Sequence, residues 1–154
     1  MRRGTRLGVD VGRVRVGVAR SDPDGILATP VETVARDDSA VARVRELCLE
    51  LDAIEVVVGL PISLSGGSTA STDDARLFAR ELARAVDAPV RLVDERLSTV
   101  SAQSALRESG RTARNSRAVV DQVAAVIILQ NALDSERSAD RPAGVLVAPD
   151  EGQA

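Results

Sequence analysis

Three acidic positions stand where acids are costly. In "LGVDVGRVRVGVARSD" (7–22), Asp10 interrupts an apolar pattern carried by Val9, Val11, Val14, Val16 and Val18. In "VRLVDE" (90–95), Asp94 and Glu95 close an apolar run. In "AVVDQVAAVIILQNAL" (118–133), Asp121 heads a stripe of Ala124, Ala125, Ile128, Leu129 and Ala132. A carboxylate is expensive to bury without compensation. Each of these has an ordinary structural reading. Asp10 can pair with Arg15 across a hairpin, while Asp94, Glu95 and Asp121 suit the start of a helix, where the dipole favours negative charge. Taken together they point to chemistry. Three acids meeting in one half-buried cleft raise one another's pKa unless a cation holds them. That arrangement suits metal-assisted phosphodiester hydrolysis, in which one ion activates water and a second stabilises the leaving oxygen. Of Asp94 and Glu95 only one can reach a given site, because strand alternation sends them to opposite faces.

What the chain lacks narrows the chemistry further. It has no histidine, and all 20 of its basic residues are arginine. A Ser-His-Asp triad and a histidine base are therefore excluded. So are a Schiff-base lysine and a complete phosphate-binding P-loop. A single cysteine, Cys48, cannot build an ordinary zinc site without histidine. Carboxylates acting alone at neutral pH usually work through Mg²⁺ or Mn²⁺. With Phe78 the one aromatic residue, base stacking is not available, and nucleic acid would be read through its backbone and shape. The net charge of −3 is concentrated beyond position 133, where five acids face two arginines. The remainder is formally neutral. Within it Arg107, Arg111, Arg114 and Arg117 face only Glu108, which reads as either a solvated loop or a phosphate-contact arm.

The elements that must position these residues follow from periodicity. A hairpin turning at Gly12-Arg13 sets Asp10 opposite Arg15, Val9 opposite Val16 and Leu7 opposite Val18. It places the large apolar residues on one face and Gly8, Asp10, Gly12, Arg15, Gly17 and Ala19 on the other. A third strand spans 26–34, with Pro30 marking an edge or bulge. A helix capped by Ser39 carries the stripe Val41, Val44, Leu47, Cys48 and Leu51. A buried parallel strand at 54–61 leads into a polar glycine loop at 64–71. Then come an acid-capped helix at 72–86, a strand at 90–95, a helix at 98–109 and the helix at 118–133. The fold class is α/β: an antiparallel β1-β2-β3 meander, then αβαβαα, in a mixed sheet with helices on both faces. Residues 1–134 form the domain and 135–154 a polar, acidic tail, in which 143–149 is either a short edge strand or disordered. No membrane-spanning or signal segment is read, and a lone cysteine fits a cytoplasmic protein.

Four blocks together resemble the RuvX/YqgF family of Holliday junction resolvases, also described as pre-ribosomal RNA nucleases. The first is Asp10, Gly12, Arg15, Gly17, Ala19, Ser21 and Asp22; the others are "VVVGLP" (56–61), "DERLST" (94–99) and "DQVAAVIIL" (121–129). The resemblance spans residues 5–134 and implies a ribonuclease H-like fold. It implies that Asp10, Glu95 and Asp121 are the catalytic acids and the ligands of Mg²⁺ or Mn²⁺. Arg15, Arg114 and Arg117 are the expected nucleic-acid contacts, Arg117 standing near where the family usually has lysine. The loop 64–71 departs from the pattern in carrying no basic residue. The implied substrate is either precursor 16S rRNA, trimmed at its 5′ end, or branched DNA, and branched DNA would call for a homodimer. Two other readings are open. "GVDVG" also resembles the phosphate hairpin of actin-like ATPases and sugar kinases, which need two such domains. A non-catalytic nucleic-acid-binding scaffold would be indifferent to Mn²⁺ and to Asp121→Ala.

Overall fold

Alternating valines make the strands, and what lies opposite them decides which helix covers each face. The computed structural model describes residues 1–62, 67–95 and 116–148, with the side chains of 116–121 outside that description. The chain runs β1 (Arg6–Val11), β2 (Arg15–Ser21), β3 (Ala28–Ala35), α1 (Ala40–Glu50), β4 (Glu55–Leu60), α2 (Ala70–Ala85), β5 (Val90–Asp94), α3 (Ser116–Ala139) and β6 (Val145–Leu146). The helix expected at 98–109 lies outside the described residues. The six strands are ordered β3-β2-β1-β4-β5-β6. β1, β4 and β5 are parallel, while β2, β3 and β6 run against their neighbours. No described helix is long and apolar enough to cross a membrane.

The meander is as expected, but the hairpin register is not. Val9 faces Val18, Asp10 faces Gly17 and Val11 faces Val16, so Asp10 is not opposite Arg15. The cause is the loop. Gly12 N–H donates to the Arg15 carbonyl at 2.9 Å, so the turn sits at Arg13-Val14, one residue later than expected. A Cβ on Gly12 would lie 2.6 Å from that oxygen, so a larger residue cannot close it this way. The slip is an even number of residues and leaves every side chain on its expected face. Val14 alone changes environment, ending 67% exposed at the loop tip. On the far side of β2, Pro30 sits in the edge strand next to a register shift between Val18 and Ala19.

One face of the sheet carries Leu7, Val9, Val16, Val18, Val34, Val56, Val58 and Val90, packed against Val44, Leu47 and Cys48 of α1 and Phe78, Ala79 and Leu82 of α2. The helix starts differ in part from expectation. Ser39 stands at the N-cap of α1 as expected, but its side chain makes no capping bond; its hydroxyl donates to Asp37 at 2.5 Å. α2 begins earlier than an acid cap would set it, with Thr69 and Thr72 forming a reciprocal capping box.

The opposite face is covered by α3 through Ala125, Ile128, Leu129, Ala132 and Leu133, which meet Ala19, Ala28 and Val57. This face is built of small residues, and the helix lies close to it. A Cβ on Gly8 would sit 2.6 Å from Leu129 Cβ and 2.9 Å from the Ala125 carbonyl. Gly8→Ala should therefore destabilise the protein by about 1–3 kcal/mol by lifting α3. Urea unfolding would show it, and an unchanged midpoint would mean that the helix does not rest on this glycine.

α3 also runs past its expected end at 133. Glu136 is buried, taking Nη2 of Arg2 at 2.5 Å and Nη2 of Arg6 at 3.0 Å. Glu55 adds hydrogen bonds to Arg2 at 3.1 Å and Arg91 at 2.9 Å. Beyond the helix, the segment read as either a strand or disorder contributes β6, paired with Arg91 and Leu92.

Candidate active site

The carboxyl ends of parallel strands are where open α/β sheets place their sites, and two of the three acids are there. Asp10 is near the end of β1 and Glu95 follows β5. Alternation sorts them onto the α3 side. Gly8, two residues before Asp10, lies under α3, whereas Leu7 and Val9 face α1 and α2. Glu95 follows the same rule. Its carboxylate Oε2 and the Ile128 side chain of α3 both lie over Gly59, where a Cβ would collide with them. The β1–β4 register pairs Val9 with Val58, so the next step brings Asp10 level with Gly59. The two carboxylates thus flank one bare glycine. A glycine inside a strand marks such a close approach, and Gly59 in "VVVGLP" is a signal for the site floor that the acids alone did not reveal.

The electrostatics record their proximity. Burial, then the charge of Asp10, then that of Asp94, push the Glu95 carboxyl up to about 7. Asp94 itself is exposed, as alternation requires. The consequence for stability has a definite sign. Between the ordinary carboxylate value of 4.5 and about 7 the folded protein holds a proton that the unfolded chain has lost, so stability falls as pH rises through that window. Without divalent cations, Glu95→Gln should raise Tm by roughly several degrees at pH 8 and leave it unchanged at pH 4. Thermal melts at the two pH values check this; equal Tm values at pH 8 would count against a buried Glu95.

The other expected site residues divide into two groups. Arg15 opens β2 on the face of Asp10, since Gly17 stands opposite Asp10 and alternation returns Arg15 to the same side. Asp121 and Arg117 lie on the first turns of α3 as backbone, and their side chains, like all of Arg114, lie outside the described residues. The course of α3 is nonetheless defined. Its Glu136 end meets Arg6 at the beginning of β1, and Ala125 and Leu129 cross Gly8. The turns that include Asp121 therefore extend toward the strand ends where Asp10 lies. Among the described side chains no group of three metal-type ligands is gathered. Ser21 and Asp22, also in the first block, build structure instead. Ser21 Oγ accepts Arg6 N–H at 2.9 Å, and Asp22 Oδ1 accepts Ile26 and Leu27 N–H at 2.8 Å each.

A mixed sheet in this strand order, with a long helix laid across the ends of its parallel strands, is the ribonuclease H-like fold. Among solved structures the chain is similar to T. thermophilus RuvC in complex with a Holliday junction substrate. The TM-score is 0.58 and the sequences 17% identical, over 91% of this chain and 99% of that one. The sequence pattern of the RuvX family, described as Holliday junction resolvase, matches residues 4–135, and the chain belongs to that family. Relatives named "Putative pre-16S rRNA nuclease" are similar along nearly their whole length. The one from Clavibacter michiganensis subsp. michiganensis is 63% identical, over 96% of this chain and 93% of its own. The one from Streptomyces coelicolor is 57% identical, over 94% and 88%.

Proposed function

We propose that this chain hydrolyses phosphodiester bonds with Mg²⁺ or Mn²⁺, and that precursor 16S rRNA is the substrate. The observation that carries the reading is the pair Asp10 and Glu95 flanking Gly59, where burial first and the charge of Asp10 second push the Glu95 carboxyl up to about 7. Hard carboxylate oxygens crowded in this way fit a divalent cation, which removes the repulsion they suffer alone. Asp10, Glu95 and Asp121 would be its ligands. When bound, such an ion supplies a water activated as nucleophile and positive charge for the leaving oxygen. Arg15, on the same face as Asp10, is assigned to orient that carboxylate or the scissile phosphate. Arg114 and Arg117 are assigned to the adjoining strand, where a planar guanidinium grips phosphate through two hydrogen bonds. The ribosomal substrate is supported by the names of relatives as much as 63% identical, and it would place the work in the cytoplasm. Branched DNA, supported by the family's description, would require two copies presenting paired sites.

The deciding experiment offers the purified protein a precursor 16S rRNA fragment and a four-way DNA junction in parallel, with Mg²⁺, with Mn²⁺ and with chelator. Metal-dependent cutting of the RNA supports the proposal, and preferential cutting of the junction replaces its substrate. Binding to either nucleic acid without cleavage in any metal would leave a scaffold and end the nuclease reading.

A further inference from the structure

Arg36, just past β3, grips the framework of the candidate site from the other side of the sheet. Its backbone N–H donates to the Val14 carbonyl at 2.9 Å, and its Nη1 donates to the Gly12 carbonyl at 2.9 Å. One residue thus holds the β1–β2 loop at two points. The guanidinium is itself held by Asp74 of α2, Nη1 to Oδ2 and Nη2 to Oδ1, both at 2.9 Å. Its centre lies 5.0 Å from the centroid of the Phe78 ring, within cation–π range. Phe78 is almost wholly buried and belongs to the α1/α2 core, so the anchor is rigid.

We propose that Arg36 is a positioning residue for the reaction, fixing the end of β1, and with it Asp10 and Arg15, through its hold on the loop 12–14. This rests on the nuclease reading above. The loop needs such a hold: it joins the two site residues, and its Val14 tip is exposed and unpacked. Arg36 meets it from the α1/α2 side, whereas Asp10 and Arg15 face α3, so it acts through backbone and never through substrate. The fork geometry matters. A guanidinium can serve a carboxylate with two N–H groups and a carbonyl as well, which an ammonium on a flexible stem reproduces poorly.

The matched control is Arg43, which makes a bidentate pair with Glu32 between α1 and β3, at 2.8 Å on both arms, and does not touch the loop. Arg36→Ala should lower turnover at saturating substrate by ~10²-fold, as expected when reacting groups shift by about 1 Å. Affinity for nucleic acid should stay within about twofold, because the loss is confined to the transition state. Amide exchange in peptides spanning 8–17 should quicken in the same variant. Arg43→Ala should change neither turnover nor exchange there. Arg36→Lys and Asp74→Asn, milder changes, should lose part of the turnover and keep the ordering informative if Arg36→Ala unfolds. Equal losses in the Arg36 and Arg43 variants, or turnover in Arg36→Lys and Asp74→Asn matching wild type, overturn the positioning role while leaving the nuclease reading intact. A wild type that cuts nothing overturns the nuclease reading and the catalytic consequence drawn here with it, and exchange at 8–17 then decides the loop anchorage by itself.

Discussion

Asp10→Asn is expected to abolish cleavage while leaving the fold unchanged. The substitution keeps the shape of the side chain and removes one of the two charges that flank Gly59. Electrostatic stabilisation at a metal-type centre is worth several kcal/mol, so the loss in turnover should be ~10³-fold. The circular dichroism spectrum should match wild type, and unfolding should remain cooperative. A second readout does not depend on catalysis. Burial is the largest cause of the raised Glu95 pKa and Asp10 the next, so removing Asp10's charge lets Glu95 ionise more readily. The fall in stability with rising pH should then begin at the same pH but end at a lower one, and the metal-free variant should be more stable than wild type at pH 8. Full metal-dependent activity in Asp10→Asn would remove this residue from the site.

The second large effect belongs to the other end of the sheet. Glu136→Gln should cost about 3–5 kcal/mol, because it leaves the Arg6 guanidinium, 1% exposed, buried without its carboxylate. For a chain of this size that is a fall in Tm on the order of 10 °C. Turnover per folded molecule should be unaffected, since Arg6 begins the strand that Asp10 nearly ends. The wild-type cluster also predicts acid behaviour. Burial works against the ionised form of Glu136, but hydrogen bonds from Arg2 and the charges of Arg2 and Arg6 prevail and hold the carboxyl down at about 2. Its contribution is present above 4.5 and is lost as pH falls from there toward 2. The variant should lack that part of the wild type's acid sensitivity. A variant that unfolds in acid just as wild type does would assign the sensitivity to other carboxylates.

Side-chain parity was legible because it survives error. An even slip of the hairpin leaves Asp10, Gly8 and Arg15 together on one face, so the site's side of the sheet could be read before its register. The register could not, since it depends on a loop closed by a hydrogen bond from Gly12 to Arg15. Glu136 falls within what reads as a polar, acidic tail, because its partners lie 130 and more residues away and neither composition nor periodicity carries that distance. Ser21 and Asp22 stand in the same block as Asp10 yet serve a turn, so a motif does not separate chemistry from scaffolding. Arg36 left no mark in the sequence at all. Its role comes from four groups on two separate stretches of chain, the 12–14 loop and α2.

The two flanks of the sheet bear on how copies of this protein meet. A bare strand edge invites a neighbouring chain to extend the ladder, the route to runaway stacking. Here Pro30 deprives one flank of a donor beside an irregular step, and Val145 and Leu146 already occupy the first rungs of the other. Strand-by-strand growth is discouraged at both borders, which leaves the helical surfaces and loops for any self-association.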